Sequence, residues 1–207
     1  MLTKLTIAAA ALGAAAFLAT PAVASDKGEL LHDANRTVDH LRHDPAFAEA
    51  AKAINGARAV YIVPKLVKGG FIFGAEGGDG VLFVHRGHSW AGPKFYGMGS
   101  ASFGFQAGLE QAELVFIINS REALAGIEKG NVKLGAGAGL TVATLSSGAE
   151  GATTSHGGDI IVWASGTGAY GGVAFNGSVI KEDKDLNAEP TTGKEAEALR
   201  RNLASFH

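Results

Sequence analysis

Cysteine is absent from the sequence, and the chain has only five prolines, two methionines and two tryptophans. Without a thiol the chain has no disulfide staple, no cysteine-ligated zinc, no thiol redox chemistry and no cysteine nucleophile. A lipidated cysteine tether is excluded for the same reason. A surplus of charge is lacking too: 18 Lys and Arg face 20 Asp and Glu, a formal charge of −2, so bulk electrostatic attraction to nucleic acid is not indicated. The first apolar run, Leu5 to Leu18, falls short of the ~20 residues that span a bilayer. What the chain has in excess is glycine, 30 residues with large apolar residues interleaved and no strict triplet, which points to structural use.

Lys4, the Ala- and Leu-rich stretch Leu5 to Leu18 and the small-residue site Pro21-Ala22-Val23-Ala24 read as an export signal over residues 1–24, cut after Ala24. The expected destination is the periplasm or the exterior. Removal of Lys4 takes the formal charge to −3. Residues 25–207 are then expected to fold as a single domain, with a helical opening segment 26–56, a sheet core 57–181 and a C-terminal tail and helix 182–207.

Leu31, Ala34, Val38 and Leu41 form one stripe of a helix from Asp26 to His43. Asp44-Pro45 then reads as an N-cap and first turn, with Phe47, Ala50, Ala51 and Ile54 as a second stripe ended by Gly56. The period changes at Ala59 to Val63, a strand that Pro64 is expected to stop. Gly70 to Glu76 and Gly80 to Arg86 read as strands joined by a turn at Gly77-Gly78-Asp79, with another turn at Arg86-Gly87-His88. Ser100 to Glu110 and Leu114 to Ile118 are expected core strands, and Ser120 caps a helix from Arg121 to Lys129 ended by Gly130. Sheet resumes over Lys133 to Leu145, Asp159 to Ser165 and Tyr170 to Asn176, and Ala196, Leu199, Leu203 and Phe206 share the face of a last helix. The expected class is α+β: a Gly-rich, strongly curved, mostly antiparallel sheet or partial barrel with N-terminal and C-terminal helices. Turns this short leave no room for the crossover helices of a doubly wound fold.

Gly166 to Gly171 fits G-x-G-x-x-G after a strand, but the following residues are β-like, so the helix that would meet a pyrophosphate is missing. No nucleotide or other cofactor is expected. Among seven histidines only His40/His43 and His85/His88 are suggestively spaced, without the further ligands of a zinc site, so no metal is assigned. No nucleophile elbow G-x-S-x-G occurs and no catalytic residue is assigned; the chain is not expected to be an enzyme.

The constellation that remains is cationic and aromatic: Lys65, Lys68, Arg86 and Lys94 with Phe71, Phe73, Trp90, Phe95 and Tyr96. Cations that meet phosphate head groups beside interfacial aromatics suit a lipid surface. The plainer reading makes Phe71, Phe73 and Trp90 core residues and the lysines solvated edge residues that block strand pairing.

A resemblance runs through the same region. Gly70-Phe71-Ile72-Phe73-Gly74, Gly78-Asp79-Gly80-Val81-Leu82, Trp90-Ala91-Gly92-Pro93, Gly104-Phe105-Gln106-Ala107-Gly108 and Leu114 to Asn119 succeed one another as in the SYLF domain. Val60-Tyr61-Ile62-Val63-Pro64 upstream and Gly168 to Ile180 downstream extend the likeness to about residues 45–181. The family is known from yeast actin-patch proteins, a vertebrate SH3-containing phosphoinositide binder and exported bacterial proteins. The resemblance implies binding to membrane lipids, phosphoinositides in eukaryotic members, with actin association in the yeast branch. For an exported chain it implies a phospholipid membrane surface with anionic head groups; actin is not an expected partner unless the protein is delivered to a host. The rival expectation is a structural or protein-interaction module of the cell envelope without lipid affinity.

Overall fold

The computed structural model describes residues 26–47, 52–70, 73–103, 108–130, 132–134, 140–146, 158–167 and 178–206. Helix α1 spans Lys27–His43, capped by the Asp26 carboxylate, which accepts from the Gly28 amide. A 3-10 turn over Pro45–Phe47 and the short α2, Lys52–Gly56, follow. The strands are β1 Ala59–Gly70, β2 Phe73–Arg86, β3 Ser89–Phe103, β4 Gly108–Ile118, β5 Val132–Lys133, β6 Val142–Ser146, β7 Ile160–Thr167 and β8 Val179–Glu182. Helix α3 spans Arg121–Glu128 and α4 spans Lys194–Ala204. The strands form a single curled sheet in the order β5-β8-β3-β2-β1-β4-β7-β6, antiparallel at every pairing except β6 with β7. Its centre, β3-β2-β1-β4, has Greek-key order.

Both faces of the sheet are covered. Along β1, Val60 and Ile62 face a core closed by α1 and α4, while Ala59, Tyr61 and Val63 face a second core that includes Ala123 and Ile127 of α3. The helical stripes land on the first core: Leu31, Ala34, Val38 and Leu41 from α1, and Ala196, Leu199 and Leu203 from α4 with Phe206 just beyond it, are all buried. The two-fold period of the strands and the 3.6-residue period of the helices thus serve two layers at once.

Three local expectations fail, each for a definable reason. Pro64 does not end β1: the strand continues through a bulge, and there a proline's missing N–H takes nothing from the ladder. Gly77-Gly78-Asp79 is not a turn but the middle of β2, and the β1–β2 hairpin closes instead beyond the pair Gly70 and Gly74. Gly78 is required because a Cβ there would lie 2.4 Å from the Lys65 carbonyl oxygen in the bulge opposite. Ser100 to Glu110 is not one strand: β3 ends at Phe103 beside β2 and β4 begins at Gly108 beside β1. Asp44 stands directly before the 3-10 turn that Pro45 opens, as expected; it also ends α1 through its backbone N–H to Leu41 and accepts 2.8 Å from the Trp163 indole with its carboxylate. The signal segment 1–24, Ala50 and Ala51 of the second stripe, and the strand expected over Tyr170 to Asn176 lie outside the described residues.

Candidate functional site

The bulge shapes the most distinctive surface feature. Between Val63, paired with Leu114, and Leu66, paired with Ala112, β1 has two residues where β4 has Glu113 alone. Strict alternation would turn Lys65 to the same face as Tyr61 and Val63, but the extra residue gives that face to Leu66. Pro64 and Lys65 therefore line a cleft beside α1, together with Asp33 and Arg36 of that helix, Gln111 and Glu113 of β4, and Ser165 of β7. The cleft holds about 500 Å³ and is open to solvent. It continues the α1 core layer past its last apolar row, Val115 and Trp163.

Its acids are held differently. Glu113 accepts 3.0 Å from the Thr37 hydroxyl, itself fully buried, and its other oxygen lies 2.8 Å from His40 Nδ1. Asp33 and Arg36 form an ion pair at 3.2 Å on an exposed helix surface, where such pairs contribute little. Lys65 is exposed at the cleft mouth.

The residues expected from sequence to form one lipid-facing patch divide into three groups. Trp90, Phe95 and Tyr96 are core side chains, 6%, 1% and 1% exposed, and in this conformation they offer no ring to an interfacial layer. Lys65, Arg86 and Lys94 are exposed and Lys68 is half-buried, but they do not converge. Lys68 pairs with Glu76, ten strand positions from Arg86, roughly 33 Å along β2. Phe71 lies outside the described residues; Phe73 is the first residue of β2 and pairs in register with Phe103, so this aromatic backbone pair belongs to the Lys68 end of the sheet. The cleft residues Asp33, Arg36, Gln111, Glu113 and Ser165 were missed. Their one sequence signal was Pro64-Lys65 inside an apolar strand run, which marks a bulge and a re-aimed side chain.

Titratable groups are perturbed mainly in the second core. Tyr61 donates 3.0 Å to the Tyr96 carbonyl, and its complete burial, with Asp79 adding to it, pushes its hydroxyl well above the ordinary range. Burial, and after it Glu182 and Glu128, push the Tyr96 hydroxyl up to about 12. Asp159 is held below its ordinary value chiefly by the Thr141 backbone N–H and hydroxyl. These are features of packing and loop closure rather than of a reaction centre. His43 Nδ1 is 2.7 Å from the Asp39 carbonyl and His85 stacks on Trp90 at 4.6 Å, and among the described residues no three His, Asp or Glu side chains are grouped to hold a metal ion. Gly166 and Thr167 end β7, while the rest of the G-x-G-x-x-G stretch lies outside the described residues. Among the described residues no helix is long and apolar enough to cross a membrane.

Residues 99–191 match the family model Ysc84, described as Las17-binding protein actin regulator. The chain is 30% identical over 127 residues to Protein YSC84 of Saccharomyces cerevisiae, covering 59% of this chain and 27% of that protein. It is 28% identical over 127 residues to the LAS seventeen-binding protein 3 of the same yeast, with 59% and 28% covered. The human SH3 domain-containing YSC84-like protein 1 is 28% identical over 149 residues, with 70% and 43% covered. The chain thus spans from about a quarter to under half the length of these relatives. No solved structure matches it. The ordered Gly-rich motifs carried by β1 to β4 and the matched region 99–191 together support a SYLF-domain family protein, the Ysc84 family of the matching model.

Proposed function

We propose that this chain is a non-enzymatic binding domain for membrane phospholipids, engaging anionic head groups from the end of the sheet where β1 turns into β2. The observation that carries this reading is the register of the hairpin. Gly70 pairs with Gly74, and the sequence at this end of β1 and β2 carries the apolar run Phe71-Ile72-Phe73, with Lys68 three positions before Phe71 and Lys65 three positions before Lys68. An apolar, aromatic run in sequence beside lysines suits an interface in which aromatics meet the acyl boundary and lysines meet phosphates. Each lysine near the surface adds about 1 kcal/mol, so binding is reversible and weakens with salt. The net charge of −2 makes the effect local. With the export signal at residues 1–24, the proposed setting is the periplasm or the exterior, where the lipids are phospholipids of an envelope.

The test is co-sedimentation with anionic vesicles of wild type, a Lys65→Ala/Lys68→Ala variant and an Arg86→Ala/Lys94→Ala variant. The reading expects loss in the first variant and retention in the second. Equal loss in both would count against the hairpin end. A second reading, an envelope protein-interaction module, draws support from the names of the yeast relatives, which describe binding to another protein. It expects no sedimentation with any vesicle.

A further inference from the structure

The geometry points to the cleft beside α1 as a binding site for a small zwitterion, with a primary ammonium and an anionic group a few bonds apart, as in phosphoethanolamine. The bulge is the first argument. It turns Lys65 away from the second core into the cleft, and the neighbouring strand accommodates it with a glycine at 78 whose Cβ would meet the bulge carbonyl. Bulges that re-aim one side chain in this way cluster next to binding sites.

Charge decides the ligand class. Lys65 and Arg36 supply two cations and Asp33 and Glu113 two carboxylates, so the cleft carries no net formal charge from its lining. A bare anion drawn to Lys65 would face two acids, and a bare cation would face Lys65 and Arg36. A zwitterion meets both signs, its anion toward Lys65 and Arg36 and its ammonium toward Asp33 and Glu113, with Gln111 and Ser165 as neutral hydrogen-bonding partners. Glu113 is fixed in place by Thr37 and His40 before any ligand arrives, whereas the exposed Asp33–Arg36 pair can exchange partners at little cost. At about 500 Å³ the space is in the range of small-molecule sites. This inference does not rest on anionic-membrane binding, because the two acids disfavour a purely anionic head group.

The experiment is an NMR titration of the full chain with O-phosphoethanolamine, with inorganic phosphate and ethylammonium as single-charge controls. Saturable shifts at the amides of Asp33, Arg36, Gln111 and Ser165 are expected, with affinity at least about tenfold above either control. Lys65→Ala, at an exposed position, and Asp33→Asn, at a half-buried one, should each weaken it about tenfold while leaving the rest of the amide spectrum in place. Phosphate binding as tightly as phosphoethanolamine, or shifts confined to residues away from the cleft, would overturn the assignment. Vesicles of phosphatidylethanolamine against phosphatidylcholine, whose quaternary ammonium has no N–H, identify the source: retention on the former only marks a lipid head group, and retention on neither, with the soluble titration intact, marks a free solute. Asp33→Asn should leave sedimentation with anionic vesicles unchanged, so this inference and the anionic reading can fail separately.

Discussion

Two adjacent glycines in β2 should respond oppositely to the same substitution. A Cβ on Gly78 would lie 2.4 Å from the Lys65 carbonyl oxygen, 3.0 Å from Val63 Cγ1 and 3.1 Å from Leu66 Cα, mostly backbone atoms of the bulge that the flanking pairings hold in place. Overpacking of this kind costs about 1–3 kcal/mol, and the upper end applies because no flexible side chain can move aside. At roughly 2–4 °C per kcal/mol for a chain of this size, Gly78→Ala should lower Tm by about 6–12 °C. A Cβ on Gly77 has only the Met98 carbonyl oxygen at 3.7 Å, an ordinary contact. Gly77→Ala should therefore be neutral or stabilising by up to about 1 kcal/mol, since alanine restricts the unfolded chain. Paired thermal and urea melts followed by circular dichroism decide it, with unchanged m values confirming that the folded-state contact is what changed. If both variants lose similar stability, the two glycines serve a turn and the bulge account is wrong.

Trp163→Phe removes the indole donor to the buried Asp44 carboxylate and should destabilise by about 1.5–3 kcal/mol in urea melts; a change below about 0.5 kcal/mol would deny that bond a structural role. Because the Tyr96 hydroxyl is pushed from 10.0 up to about 12 and Tyr61 is raised too, the unfolded chain releases these protons first; their contribution is present below pH 10 and lost as pH rises toward 12. An alkaline titration of a Tyr170→Phe variant, followed at the phenolate absorbance, should show Tyr61 and Tyr96 ionising only as the fold is lost, and phenolate formation near pH 10 in that folded variant would contradict it. Ser120→Ala removes the acceptor for the Ala123 amide at the start of α3 and should lower stability by about 1 kcal/mol in urea melts, while Ser120→Thr, which keeps the hydroxyl, should lower it by less.

The helices were legible because their buried faces are continuous in sequence: the stripes of α1 and α4 land on the core residue by residue, and Ser120 and Gly130 bracket α3 as their chemistry dictates, Gly130 with φ of +64°. The strands were legible in type but not in extent. Gly77 and Gly78 looked like a turn because a sequence gives no sign that a neighbouring strand presses on a position, and it is the bulge across the sheet that calls for glycine at 78. For the same reason Pro64 reads as a stop, although β1 carries it in the middle of the sheet. The lipid-facing set mixed exposed cations with aromatics because composition cannot assign a face: Phe95 and Tyr96 are neighbours on β3, yet they enter opposite cores. The cleft was illegible because Asp33, Arg36, Glu113 and Ser165 come together only through the pairing of β4 with β1 and β7 beneath α1.

The most direct test of the binding account is sedimentation of the full chain with vesicles of neutral phosphatidylcholine and of phosphatidylcholine doped with an anionic lipid, each at low and high salt. The account predicts retention on the anionic vesicles at low salt, release at high salt as the Debye length falls toward ~3 Å at 1 M, and little retention on the neutral ones at low salt. A chain that stays in the supernatant with every vesicle at both salts would contradict phospholipid binding and leave the protein-interaction reading in its place.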